Sequence, residues 1–196
     1  MNLAQLRARV DARSGIAVAA SEVDASINEA LSVLSLEERW PWLRASAGAT
    51  FDVDEPVDLP ADLAQLVSVT ADGHRYSLVA PADVTVARVY SDRQRLAAVQ
   101  NGALILWPAP AVGAELVVDY ISMEKHLVDD TDEPHLPDAY SQAVIHLAIS
   151  LVQDRAPEMA RSAAAHSSSY DGWVRRMRRG TLAKGPLRVR ARTDGI

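Results

Sequence analysis

Leu96-Ala97-Ala98-Val99-Gln100-Asn101-Gly102-Ala103-Leu104-Ile105-Leu106-Trp107 decides the fold class of this chain. Two apolar runs flank Asn101-Gly102. Asn-Gly supplies the two consecutive positive-φ residues that a two-residue hairpin turn requires. The stretch therefore predicts a β-hairpin with strands over 96–100 and 103–107. Pro108-Ala109-Pro110 stops the second strand, because proline cannot donate to the ladder.

Working outward, the same period continues on both sides. Leu66-Val67-Ser68-Val69-Thr70, the turn Asp72-Gly73 and Arg75-Tyr76-Ser77-Leu78-Val79 read as a second hairpin. Phe51-Asp52-Val53 alternates, and Glu115 to Ile121 reads as a further strand. Pro81 to about Asp92 reads as one or two helical turns. The middle of the chain is therefore expected to hold about five or six short antiparallel strands.

Outside that region the period changes to that of helices. Residues 2–12 place Leu3, Leu6 and Val10 on one face, and Ser14-Gly15 ends the segment. A second helix is expected from Ser21, with Ser21 and Asp24 at capping-box spacing and Val23, Ile27, Ala30, Leu31 and Leu34 as its apolar stripe. It ends before Trp40-Pro41-Trp42, since Pro41 disfavours helical backbone at Trp40. A third helix opens at Pro137 and runs to about Asp154, with Tyr140, Val144, Leu147, Ala148 and Leu151 buried. Pro157 opens the last helix at a position where its missing N–H costs nothing. Met159, Ala163, Tyr170, Val174 and Met177 form its apolar side, Ala160, Ala163 and Ala164 a small-residue stripe, and Gly180 its stop.

The expected architecture is thus α+β: a helical bundle of about four helices with an inserted antiparallel β module and an extended C-terminal tail. Its boundaries are 1–48 for the N-terminal helices, 49–122 for the β module, 123–180 for the C-terminal helices and 181–196 for the basic tail. The 196 residues are 48% hydrophobic, enough for a packed core. No cysteine is present, which rules out a disulfide, a thiolate metal site and a cysteine nucleophile. The N-terminus carries charges and no apolar run, so no signal peptide is expected. No stretch approaches the roughly 20 apolar residues of a membrane span.

Catalytic patterns do not emerge. His74, His126, His135, His146 and His166 show no metal-ligand spacing. The acidic run Asp129-Asp130-Thr131-Asp132-Glu133 lacks the glycine and the terminal acid of a calcium loop and reads as a solvated loop capping the helix that follows. There is no Gly-x-Ser-x-Gly and no phosphate-binding glycine loop. The expectation is a protein without enzymatic activity, metal or cofactor.

Charge is more informative. From Asp171 to Ile196 eight basic residues face two acidic ones, a net +6. The whole chain carries −6, which leaves −12 for residues 1–170. Basic side chains neutralise phosphates, so nucleic-acid binding through the tail is one reading. Docking on an acidic protein surface is another, because the acidic body repels DNA and the tail has few aromatic residues; a third is a solvated terminus with no partner. Val189 between Arg188 and Arg190 alternates as an extended peptide would. Trp40 and Trp42 read either as a cap on the core or as a subunit contact, where tryptophan and arginine are enriched.

The order of motifs is also distinctive. Ile27-Asn28-Glu29-Ala30 leads into Trp40-Pro41-Trp42-Leu43, then Val57-Asp58-Leu59-Pro60-Ala61-Asp62-Leu63, then Leu104-Ile105-Leu106-Trp107-Pro108-Ala109-Pro110. Val118-Asp119-Tyr120, Leu127-Val128-Asp129-Asp130 and Leu136-Pro137-Asp138-Ala139-Tyr140 follow. Over roughly residues 20–180 this order resembles the head-to-tail adaptor, or connector, proteins of tailed double-stranded DNA bacteriophages. The resemblance implies a structural virion protein of the neck, assembled in the bacterial host cytoplasm. It implies a ring of about twelve subunits that joins the portal protein to the next tail or neck protein. Genomic DNA would pass through the lumen without sequence-specific binding, and no membrane is involved. Carried onto this chain, portal docking would fall on Leu187, Arg188, Val189, Arg190 and Arg192. Trp40, Trp42, Arg175, Arg176, Arg178 and Arg179 would contact adjacent subunits. The alternative function is nucleic-acid binding by the basic tail.

Overall fold

A computed structural model describes residues 1–52, 57–84 and 94–182. The chain is mixed α+β and divides into two compact units. One takes Met1–Leu34 and the chain from Lys125 onward; the other is Ser35–Glu124.

The first unit is helical. Helix α1 (Leu3–Ser14) begins with a full capping box: Asn2 accepts from the Gln5 backbone N–H, and Gln5 reaches back to that of Asn2. It ends at Gly15, whose φ of 69° is the left-handed conformation glycine supplies without strain. Leu3, Leu6 and Val10 are buried as their spacing predicts. Helix α2 (Ala20–Glu37) buries Val23, Ile27, Ala30, Leu31 and Leu34. It starts near Ser21, as expected, but without the expected capping box. Both carboxylate oxygens of Asp24 accept from Arg7 on α1, at 2.7 and 2.8 Å.

Helix α3 (Ser141–Gln153) follows the short turn Asp138–Tyr140 that Pro137 opens. Its buried set is Ala143, Val144, Ile145, Ala148, Ile149 and Val152, whereas Tyr140, Leu147 and Leu151 stay half-exposed. The expected stripe was a narrower one, and rotated. α3 packs against both α1 and α4, so two faces need apolar cover. Helix α4 (Ala160–Leu182) follows the turn Pro157–Met159 and buries Ala163, Tyr170, Val174 and Met177. Of the expected small-residue stripe only Ala163 is buried; Ala160 and Ala164 face solvent. Gly180 does not stop the helix, which continues to Leu182. A Cβ on Gly180 would lie 3.3 Å from the Tyr140 hydroxyl, so that position is a close approach, not a terminus.

The second unit is built on one seven-stranded sheet: β1 (Arg44–Thr50), β2 (Val57–Asp58), β3 (Leu63–Ala71), β4 (His74–Leu78), β5 (Leu96–Gln100), β6 (Ala103–Trp107) and β7 (Glu115–Ser122), in the order β1-β7-β3-β4-β5-β6-β2. Both predicted hairpins form. Asp72 and Gly73 have φ of 46° and 74°, and Asn101 and Gly102 have 53° and 81°. Two corrections follow from the pairing. The sheet is not wholly antiparallel, because β4 and β5 run parallel through Ser77↔Leu96 and Leu78↔Ala97. A strand also precedes the alternation at Phe51-Asp52: β1 starts at Arg44, ahead of the expected boundary at 49. Residues 81–84 form a helical turn. Val53 and the rest of the expected helical turns after 84 lie outside the described residues.

The main core of this unit comprises Val57, Val69, Ala71, Tyr76, Ala97, Leu104, Leu106, Leu116, Val118 and Tyr120, with Ala45, Ala47 and Ala49 packed at its margin. A smaller cluster of Val84, Leu96 and Ala98 covers the opposite face of the central hairpin. Ala97 and Ala98 thus serve different faces, as successive strand residues must.

Candidate interaction surfaces

The tryptophan motif is positioned by a short 3-10 turn, Pro41–Leu43, which leads into β1. Trp40 is fully buried, and Trp42 stacks on it with ring centroids 5.0 Å apart and planes 10° from parallel. Trp40 is therefore a core residue, and only the half-exposed Trp42 retains surface for a neighbour. A cleft beside the pair is lined by Arg39, Trp40, Pro41, Arg44, Val67 and Ile121.

The four arginines sit on the last turns of α4, where positive charge is favourable against the helix dipole. Arg175, Arg176 and Arg179 are exposed, and Arg178 is half-buried. The Arg176 guanidinium lies 4.3 Å from the centroid of the Trp173 ring, a cation–π contact that holds the charge outward on a rigid stem. Tyr170, Val174 and Met177 anchor the opposite face. Leu187, Arg188, Val189, Arg190 and Arg192 lie outside the described residues.

The acidic loop is bound up within its own unit. The backbone carbonyls of Asp132 and Asp130 accept from the N–H groups of Leu3 and Ala4, at 2.9 and 3.2 Å. The loop thus caps α1, a helix far away in sequence, where the expectation placed it on the helix that follows. The Asp132 carboxylate accepts from the Val128 and Asp129 N–H groups and from Lys125 Nζ. Lys125 and these two N–H groups hold its pKa well below the usual carboxylate range. Arg7 bridges Asp24 and Asp130, and its own pKa is raised by those two partners. With these bonds made, the carboxylates of Asp24, Asp130 and Asp132 are committed to structure. Among the described residues no group of three or more His, Asp or Glu is placed to hold a metal ion.

One cluster escaped the sequence reading. His146 on α3 and His166 on α4 meet with Nδ1 atoms 2.9 Å apart. Their separation of twenty positions carries no ligand pattern, and only the packing of α3 on α4 joins them. Burial lowers the pKa of both; the charge of His166 and of Arg13 adds to this for His146, and Arg13 for His166. One imidazole donates and the other accepts, so the two rings cannot both carry a proton on Nδ1 in this contact.

Among the described residues no helix is long and apolar enough to cross a membrane. No curated protein sequence matches this one significantly. The family model described as SU10 adaptor protein matches residues 1–190, nearly the whole chain. The chain therefore belongs to the SU10 adaptor protein family, a family of bacteriophage structural adaptors.

Proposed function

We propose that this chain is the head-to-tail adaptor subunit of a tailed phage particle. About twelve copies form a ring under the portal, join it to the next neck or tail protein, and surround the channel through which genomic DNA passes. The observation that carries this reading is the family match over residues 1–190. The helical unit forms the ring wall, and the β unit of Ser35–Glu124 faces a neighbouring component. Residues after Leu182 reach the portal, with Leu187, Arg188, Val189, Arg190 and Arg192 in contact. Trp42 and, separately, the arginines of α4 contact adjacent subunits in the heterologous ring interface.

The charge balance supports this division of labour. Phosphates slide past an acidic body, because it offers them few cationic sites. The basic tail is instead suited to an acidic protein surface. Truncation after Leu182 removes the tail and keeps every residue of α4 from Ala160 to Leu182. The truncated chain, mixed with portal from its own particle, should fold and fail to dock. Docking equal to that of the full chain would refute the tail assignment. Salt-sensitive binding of duplex DNA by the full chain, lost on truncation, would favour the nucleic-acid reading instead.

A further inference from the structure

β1 is an undefended sheet edge. It pairs with β7 alone, in the register Arg44↔Ile121 to Thr50↔Glu115. Phe51 N–H donates to the Ala114 carbonyl, so hydrogen-bonded pairs fall at Ala49, Ala47 and Ala45, and the groups of the intervening residues point away from β7. Among the described residues, Ser46, Gly48 and Thr50 have no backbone partner on that outer side, and all three are exposed. Edge strands are ordinarily guarded by proline, inward charge, a bulge or short length. Here the seven residues Arg-Ala-Ser-Ala-Gly-Ala-Thr contain no proline and no internal charge, and the register with β7 is unbroken. The other edge, β2, is only two residues long.

We infer that this edge pairs with β1 of a second copy, antiparallel and about a two-fold axis at Ala47, joining the two sheets into one. The strand is self-complementary in that register. Ser46 and Gly48 of the second copy exchange N–H···O bonds, and Arg44 falls opposite Thr50. On the same face, Glu115 lies next to Thr50, about 10 Å from Arg44 of the second copy, within reach of two long side chains across a small residue. The two-fold repeats this opposite-charge contact. Ala45, Ala47 and Ala49 are small enough to bring the two inner faces together without clash. A two-fold contact cannot itself extend into a ring. The pairing therefore belongs to the free chain and covers an adhesive edge there; it does not rest on the proposed place in the particle.

The test is sedimentation of the full chain across a concentration series, with variants. The expected result is a dimer of twice 21.2 kDa that dissociates on dilution. Gly48→Pro removes an outward N–H and leaves the β7 pairing alone, and should weaken self-association at least tenfold. Arg44→Glu should do the same, and Arg44→Glu with Glu115→Arg should restore it, which separates the contact from any folding defect. The chain has no cysteine, so Ala47→Cys gives one thiol per copy, facing its twin across the axis at about 4.5 Å between Cα atoms. Oxidation with diamide should cross-link it. A chain monomeric at all concentrations would overturn the inference. So would a dimer indifferent to Gly48→Pro and to the charge exchange, or a larger assembly in which Ala47→Cys fails to cross-link.

Discussion

Asn28 holds Leu127 by both of its backbone polar groups: Nδ2 donates to the Leu127 carbonyl at 2.9 Å, and Oδ1 accepts from the Leu127 N–H at 2.8 Å. Both residues are buried, so water cannot replace either bond. Asn28→Ala leaves two buried backbone groups unsatisfied and should cost about 2–4 kcal/mol. Asn28→Asp should cost a similar amount, because it keeps the acceptor, loses the donor and buries a charge. Urea unfolding of each variant against the parent chain measures this.

The His146–His166 pair makes stability depend on pH in one direction. The unfolded chain protonates these rings near 6.5, and burial holds the folded ones lower. Between those values the unfolded state binds more protons, so stability falls as pH drops below about 6.5. Arg13, held by Gln142, is the other charge bearing on the pair. His146→Gln with His166→Gln should flatten the slope of unfolding free energy between pH 7 and 5, and the parent should lose stability over that interval.

Asp119 should show acid sensitivity at lower pH. Ser46 and Ser68 donate to its two carboxylate oxygens at 2.5 and 2.7 Å and, with Arg44 and Arg75 nearby, lower its pKa. The stabilisation is present above the unfolded value of about 3.9 and is lost as pH falls through the folded one. Ser68→Ala, at the buried end, should cost about 1 kcal/mol at neutral pH and raise the Asp119 pKa in an NMR titration. Ser46→Ala, on the exposed edge, should cost less.

Gly102 carries the central hairpin with φ of 81°. Nothing lies within 4 Å of a Cβ placed there, so a substitution meets strain and no clash. Gly102→Ala should cost about 1–2 kcal/mol, whereas Asn101→Gly should be nearly neutral. Thermal unfolding of both variants separates backbone strain from packing.

The hairpin at Asn101-Gly102, the second at Asp72-Gly73, and helices α1 and α4 were legible along the chain, because turn chemistry and apolar period are local properties. β1 was not. Alanine alternating with serine, glycine and threonine carries little strand propensity, and it becomes a strand because β7 offers a ladder. For α3 the extent was legible and Val144 and Ala148 are buried as expected, but the full buried face was not: one apolar stripe was visible, and a helix packed by two neighbours buries two faces.

Charge and composition showed that the tail differs from the body, and motif order indicated the adaptor family, which the match over residues 1–190 supports. Sequence determined these features because each depends on neighbouring residues or on the order of segments. Tertiary structure alone decided that Trp40 is core while Trp42 retains surface. It also decided that the acidic loop caps α1 and that two histidines twenty residues apart share a hydrogen bond. The physical reason is the same in each case: these contacts join residues remote along the chain, and their partners are set by which faces pack, which no local pattern encodes.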